Sequence, residues 1–303
     1  MELHSLKVFL AVATEKSFSR AADRMSRTQP AISLAVQRLE SELDEKLIDR
    51  SAKDLLLTDA GRIVVEYARR FENLEREMTT ALAELRDNSA GRLTIGANES
   101  TSLYLMLHIE RYRHLYPRVK VEVRRSLSSR IPGQLVDGDL EMGVISYDPA
   151  DARLESHVIY TDHLAFVVSP RHRFAEHEQI SITELGMETF IAHNVASPYR
   201  EIVLKEFQRH RVPLNMDVEM PTVETIRRMV QRGEGVAFLP RMCVEQEIES
   251  GLLREVMVPE LHHVERKIRL VYPAKRGMSH AARAFLELVR GKAIEGEAAG
   301  VSL

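Results

Sequence analysis

The sequence predicts an α/β protein in which an amino-terminal winged helix-turn-helix, residues 1–57, leads through one long helix into a larger body of alternating strands and helices. Three observations carry this expectation. Phe18 to Leu34 reads as a short helix, a tight polar turn and a second helix; Thr58 to Arg86 holds a helical pattern free of proline; and from Leu93 onward short apolar strands alternate with helices. A length of 303 residues exceeds one typical domain and leaves room for a small head and a body with a core of its own.

In the head, Thr28 stands where it can cap the second helix, and Pro30 falls in the first turn, where a missing N–H costs nothing. Ile32, Val36, Leu39 and Leu43 follow as one buried stripe. Gln29, Ser33 and Gln37 recur every four residues on the other face. A glutamine carries the donor and acceptor pair that matches adenine in the major groove, serine is a shorter partner, and the neighbouring Leu34 suits a thymine methyl. Arg24, Arg27 and Arg38 lie in a stretch from Arg24 to Leu39 that contains no acid, giving local positive charge for phosphates. The hairpin alone leaves two readings open, since amphipathic helices in many proteins have a polar outer face. The segment after it favours DNA: Leu47-Ile48-Asp49-Arg50, a polar turn at Ser51-Ala52-Lys53-Asp54 and Leu55-Leu56-Leu57 read as a β-hairpin wing. Arg50 and Lys53 on that wing are either phosphate or minor-groove contacts or ordinary solvated charges.

Thr58 then caps a helix of about 29 residues, a rod of about 43 Å, with Gly61 in its first turn. Tyr67, Phe71, Leu74, Met78, Leu82 and Leu85 approximate a two-stranded coiled-coil seam, while Arg69, Arg70, Glu72, Glu75, Arg76 and Glu77 keep the other faces wet. Such a seam pairs two heads and implies a roughly two-fold symmetric DNA site; packing of the helix on its own domain is the alternative. Asp87-Asn88-Ser89-Ala90-Gly91 reads as a hinge.

In the body, strands are expected at Leu93–Ala97, Val119–Arg125, Leu140–Ile145, Leu164–Val168 and Val236–Pro240, with helices at Leu103–Tyr116, Ile131–Val136 and Val223–Gln231. This alternation implies a parallel sheet covered by helices, and such sheets bind ligands beyond the carboxyl ends of their strands. The segments there are Asn98-Glu99-Ser100-Thr101-Ser102, Ser126-Leu127-Ser128, Tyr147, then His193, Asn194 and Ser197 after Phe190-Ile191-Ala192, and Thr222 at a helix start. The hydroxyls of Ser100, Thr101 and Ser102 either hold an anion or cap their own helix. Glu99 competes with an anionic ligand for the helix dipole, so it either faces away or selects a ligand with an amino group.

Composition narrows the function class. A net charge of −3 gives no global basic field, so nucleic-acid contact rests on a local patch. The single cysteine, Cys243, excludes an intramolecular disulfide and fits a small core residue better than a sensor thiol. Glu2, His4 and Lys7 interrupt any export signal, and no apolar run approaches membrane-spanning length, so a cytoplasmic protein with no membrane partner is expected, not an uptake receptor. Gly-x-Ser-x-Gly, Gly-x-x-x-x-Gly-Lys and Gly-x-Gly-x-x-Gly are all absent, which speaks against an enzyme and leaves no cofactor implied. His262-His263 and the pair His172 and His177 lack the spacing of a zinc site, so no metal is expected.

Ala21-Ala22, Gln29-Pro30-Ala31-Ile32-Ser33, Arg38-Leu39-Glu40, Leu43, Leu47-Ile48-Asp49-Arg50-Ser51 and Leu57-Thr58-Asp59-Ala60-Gly61 together resemble the amino-terminal domain of LysR-type transcriptional regulators. Tyr116-Pro117, Gly138-Asp139-Leu140-Glu141 and Gly233-Glu234-Gly235-Val236 are similar to that family's effector domain. Thr28, where the family often has Ser, and Leu34, where a polar residue is frequent, depart from the pattern. The resemblance implies a linker helix over 58–87 and an effector domain over 88–303 of two α/β subdomains resembling periplasmic solute-binding proteins. Subdomain I would take about 91–161 and 267–303 and subdomain II about 162–266, the chain crossing near Thr161-Asp162 and returning near Glu265 to Arg269. It implies DNA contacts at Arg27, Thr28, Gln29, Pro30, Ser33, Leu34, Arg38, Arg50 and Lys53, and effector contacts at Ser100, Thr101, Ser102, Leu127, Ser128, Tyr147, His193, Asn194, Ser197 and Thr222. It further implies double-stranded DNA, a small-molecule effector, a homodimer assembling into a homotetramer, and activation through RNA polymerase.

Overall fold

The computed structural model describes residues 2–49, 55–86, 91–195, 197–262, 264–275 and 277–299. It divides into two compact units, Met1–Gly91 with Gly133–Leu140, and Arg92–Pro132 with Glu141–Leu303.

The first unit opens with three helices, α1 (Leu3–Glu15), α2 (Phe18–Arg24) and α3 (Gln29–Leu43). Phe9, Val12, Ala21, Ile32, Val36, Leu39 and Leu47 form its core, so the stripe read from the sequence is the face α3 buries. Two short antiparallel strands follow, β1 (Ile48–Asp49) and β2 (Leu56–Leu57), with Ile48 opposite Leu57. Helix α4 (Asp59–Arg86) starts at a Thr58 cap whose Oγ1 accepts from Gly61 N–H at 2.9 Å. Gly61 is required there, because a Cβ would lie 2.1 Å from the Leu47 carbonyl oxygen. Asn73 on α4 is buried and donates to the Asp137 carbonyl at 2.7 Å and to Asp139 Oδ1 at 3.0 Å, which ties the 133–140 segment to this unit.

The second unit contains β3 (Gly91–Ala97, from Arg92), α5 (Glu99–Leu115), β4 (Val119–Arg125), the start of α6 (Ile131–Asp137), β5 (Met142–Ile145) and the 15-residue strand β6 (Leu154–Val168). Then come β7 (Thr189–His193), α7 (Pro198–Arg209), β8 (Asn215–Met220), α8 (Val223–Arg232), β9 (Ala237–Pro240), α9 (Glu245–Glu249), β10 (Arg254–Val256), β11 (Glu265–Pro273) and α10 (His280–Ala299). Helix α8 stops at Gly233, whose φ of 82° is left-handed and suits glycine.

The expected parallel sheet is mixed instead. Strand β3 pairs parallel with β5, and β7 parallel with β8, but β11 runs antiparallel to both β5 and β6, and β9 and β10 run antiparallel to β6. The reason is that β6 serves two lobes in succession: Leu154 to His163 pair with β11, and Leu164 to Val168 pair with β9 and β10. One lobe has a core of Leu93, Ile95, Leu105, Tyr112, Val144, Leu270 and Phe285; the other is built on Phe166, Phe190, Phe207 and Val236, with Ile191, Ile226 and Leu239 alongside. The crossing expected near Thr161-Asp162 and Glu265 to Arg269 is where β6 and β11 pair, Asp162 opposite Arg266.

Candidate nucleic-acid interface and ligand cleft

The turn between α2 and α3 is closed by Arg27 N–H donating to the Ala22 carbonyl at 2.9 Å and by Ser26 in the left-handed region at φ 53°. Thr28 is the residue before α3, but its hydroxyl makes no capping bond; its carbonyl accepts from Ile32 N–H at 3.2 Å. Capping by Thr28 is therefore corrected: its side chain is exposed and uncommitted. Gln29, Pro30 and Gln37 are exposed and Ser33 half-buried, and none of the Gln29, Ser33 and Gln37 side chains hydrogen-bonds another described residue. Leu34 is 48% exposed beside them. Arg27 and Arg38 are exposed with no acid at ion-pair distance among the described residues, whereas Arg24 is held by Glu15 at 3.0 Å. Arg50 and Lys53 lie outside the described residues, as do the wing turn and 87–90 of the hinge.

One residue with a structural role in this interface escaped the residue-by-residue reading. Glu40, 2% exposed, points its Oε1 at the backbone N–H groups of Leu47 at 2.9 Å and Ile48 at 3.3 Å. The carboxylate thus fixes the first wing strand to α3, and Lys46 Nζ lies 3.6 Å from its other oxygen. On α4, Tyr67, Phe71, Leu74, Met78 and Leu82 are all exposed in the single chain; the Leu85 side chain lies outside those described.

The second cluster of expected residues converges where the two lobes of the body meet. Strand β3 ends at Asn98, whose Oδ1 accepts from Thr101 N–H at 2.9 Å while Thr101 Oγ1 accepts from Asn98 N–H at 3.0 Å, a capping box. Helix α5 therefore begins at Glu99, four residues before the expected Leu103. The three hydroxyls are engaged locally: Ser100 with Asn98 Oδ1, Thr101 with Asn98 Oδ1 and the Val144 carbonyl, Ser102 with the Glu99 carbonyl. Ser128 accepts from Asn98 Nδ2 at 2.9 Å, and Tyr147 donates to the Ser128 carbonyl at 3.1 Å. Leu127 is exposed.

From the other lobe, Ser197 and Thr222 cap α7 and α8, accepting from Arg200 and Thr225 N–H. Asn194 is exposed, and its N–H donates to the Met220 carbonyl. His193 Nδ1 accepts from Val195 N–H at 3.1 Å, which places the ring proton on Nε2. That nitrogen lies 3.7 Å from Glu99 Oε2. Glu99 neither faces away nor stays within its own lobe, because its Oε1 accepts from Val223 N–H, the first residue of α8, at 2.9 Å. Tyr199 makes a second tie between the lobes, donating to the Ser146 carbonyl.

Beneath these ties lies a buried ion pair. Arg266 Nη1 is 2.5 Å from Asp162 Oδ2, with side chains 5% and 1% exposed; its Cζ sits 5.0 Å from the centre of the Tyr199 ring and its Nη2 3.4 Å from Ser100 Oγ. Burial pushes the Asp162 carboxyl above its usual range, with Arg266 pulling it back down, and burial likewise raises the Tyr199 hydroxyl. Burial also pushes the Cys243 thiol up to about 12, the behaviour of an inert core residue. Asp162, Arg266 and Tyr199 were not among the expected contacts. Asp162 and Arg266 meet across 104 positions of sequence, and no local pattern announces the pair. Among the described residues no group of three His, Cys, Asp or Glu is placed to hold a metal, and no helix is long and apolar enough to cross a membrane.

With this geometry in view, residues 3–62 match the family described as bacterial regulatory helix-turn-helix protein, lysR family, and residues 86–293 match the LysR substrate binding domain. A probable RuBisCO transcriptional regulator of Cyanophora paradoxa is 32% identical over 292 residues, 94% of this chain and 90% of that protein. The crystal structure of full-length CbnR complexed with its target DNA superposes with a TM-score of 0.73 at 19% identity, covering 96% of this chain and 99% of that one. The regulatory domain of Synechocystis PCC6803 CcmR in complex with 2-PG superposes with a TM-score of 0.61 at 20% identity, covering 67% of this chain and 97% of that one.

Proposed function

The chain belongs to the LysR-type transcriptional regulators, a family of DNA-binding regulators and not of enzymes, and from that premise we propose how its parts divide the work. Residues 1–57 read DNA, 58–87 pair two chains, and 88–303 bind a small molecule between the two lobes. The observation that carries this reading is the outer row of α3, where the side chains of Gln29, Ser33 and Gln37 make no hydrogen bond to another described residue. Gln29, Pro30, Ser33 and Leu34 form the reading edge. Arg27, Thr28 and Arg38, with Arg50 and Lys53 from the wing, hold phosphates.

The exposed α4 row pairs two chains, and a second apolar row on α5, Leu103, Met106 and Leu107, supplies the further self-association surface that a dimer of dimers needs. The protein works in the cytoplasm as an activator that contacts RNA polymerase. Ligand at Ser100, Thr101, Ser102, Leu127, Ser128, Tyr147, His193, Asn194, Ser197 or Thr222 shifts the arrangement of the lobes, and α4 passes the shift to the DNA as altered spacing or bend.

The test is a thermal-shift screen of the full chain against metabolites, followed by footprinting and DNA bending with any compound that stabilises it. A stabilising compound that alters the footprint or the bend is the expected result. Identical footprints and bends, with a compound that demonstrably changes transcription, would remove the transmitted-geometry mechanism.

A further inference from the structure

Several charges around the inter-lobe junction are paired among the described residues. Asp162 faces Arg266, Arg200 faces Glu219, Arg227 faces Glu224 and Glu247, and Arg269 faces Asp148. Glu99 has no lysine or arginine within ion-pair distance among the described residues. Its two oxygens have different fates. Oε1 fills the amino terminus of α8 by accepting from Val223 N–H, the place where that helix would otherwise receive an anion. Oε2 is buried without a hydrogen-bond partner among the described residues, and His193 Nε2 stands 3.7 Å from it, beyond hydrogen-bonding reach. Ser100, the residue after Glu99, receives Nη2 of Arg266, 5% exposed, whose Nε is also unpartnered. Arg266 is neutralised by Asp162, and Glu99 keeps its charge with only the His193 ring at ion-pair distance among the described residues.

We propose that Glu99 is the specificity-determining residue of the cleft: its carboxylate is a tethered anion occupying the α8 amino terminus, and the ligand brings a positively charged nitrogen to Glu99 Oε2. This rests on the reading that the ligand binds between the lobes. A carboxylate or phosphate approaching α8 must displace Glu99 and then share the junction with it, a like-charge contact in a partly buried site. An ammonium or guanidinium group satisfies the bare oxygen and cancels the unpaired charge at once. The same ligand ties α5 of one lobe to α8 and β7 of the other, because Glu99 already bridges them.

The test compares the full-length protein with Glu99→Gln, whose amide oxygen keeps the bond to Val223 N–H and whose charge is gone. The probes are 1,4-diaminobutane and succinate, equal in carbon number and opposite in charge, titrated at constant ionic strength. Diaminobutane should stabilise the native protein and lose about tenfold or more in Kd on the substitution, while succinate should bind the variant better than the native chain. Diaminobutane affinity unchanged by the substitution, or succinate binding the native chain as tightly as the variant, overturns the proposal. The metabolite screen separates the two levels of inference. A stabilising anion that protects the amino termini of α5 and α8 from hydrogen exchange, and that binds the native chain as tightly as Glu99→Gln, overturns the charge assignment and leaves the cleft standing. A stabilising compound that protects neither terminus overturns the cleft itself.

Discussion

Two rows of small polar side chains invite comparison. On α3, Gln29, Ser33 and Gln37 project from a helix whose other face is packed, and no described residue hydrogen-bonds their side chains. On α5, Ser100, Thr101 and Ser102 look equally available in the sequence, yet every hydroxyl is spent on the turn that starts the helix. The residues after Asn98 share the turn that its side chain caps, whereas α3 starts without a side-chain cap and the side chains of Gln29, Ser33 and Gln37 find no partner among the described residues. A polar row is thus a candidate for outside contact when its position gives it nothing to do inside. By that criterion the hydroxyls of Ser100, Thr101 and Ser102 belong first to the frame, whereas Glu99 beside them keeps one buried oxygen without a hydrogen-bond partner among the described residues.

The sharpest way to break this contrast is to remove a committed charge. Arg266→Met leaves Asp162, 1% exposed, without its counter-ion, and should cost about 3 to 5 kcal/mol in urea unfolding of the full chain. The sign of the pH dependence follows from the raised carboxyl. A raised folded pKa means the native state holds the proton more tightly than the unfolded chain, so the stability it contributes is full below the ordinary carboxylate range and is lost as pH rises through the folded value. Removing Arg266, which pulls the value down, pushes it higher still, so the deficit should shrink toward about pH 4 and grow toward about pH 7. A loss below about 1 kcal/mol at neutral pH would mean the pair is not dry in solution.

The uncommitted row should respond the other way. Gln29→Ala should leave stability within about 0.5 kcal/mol and cost about 1 to 3 kcal/mol on the cognate DNA site, measured by titration against cognate and scrambled duplexes. Arg38→Ala should weaken all duplexes alike and reduce the salt slope by about one. Equal loss on both duplexes for Gln29→Ala would take Gln29 out of base reading.

The difference between the rows also explains what the sequence could and could not disclose. Period and punctuation are local, so α3, the Thr58 cap and β4 at Val119–Arg125 fall where they were expected. The start of α5 is hidden in the sequence because Glu99, Ser100, Thr101 and Ser102 lack an apolar period; the side chain of Asn98 recruits them into the helix. Strand β6 was read only over its apolar end, since His157, Tyr160 and Asp162 interrupt the alternation in the part that pairs with β11. Helix α7 and strands β8, β10 and β11 carry too weak a local pattern to stand out in the sequence, β8 being an edge of alternating exposure. Long-range partnerships left no local trace: Glu99 with Val223 is 124 positions apart, and Asp162 with Arg266 is 104. The acidic residue at 99 was visible as a complication; its target was not.

The smallest effect concerns the cap itself and separates frame from contact within a single residue. Asn98 uses its oxygen to hold Thr101 N–H at 2.9 Å and its amide nitrogen to hold Ser128 Oγ at 2.9 Å. Asn98→Ala loses both and should destabilise the chain by about 1 kcal/mol. Asn98→Asp keeps the acceptor and gains from the helix dipole, but the bond to Ser128 must then be donated by the Ser128 hydroxyl, and a second carboxylate is set beside Glu99. If the hydroxyl row is frame, Asp should recover most of what Ala loses, read as the urea midpoint. Should Asp and Ala be equally unstable, the Ser128 bond or the crowding against Glu99 would dominate, and the start of α5 would have to be counted as part of the charged junction and not as its scaffold.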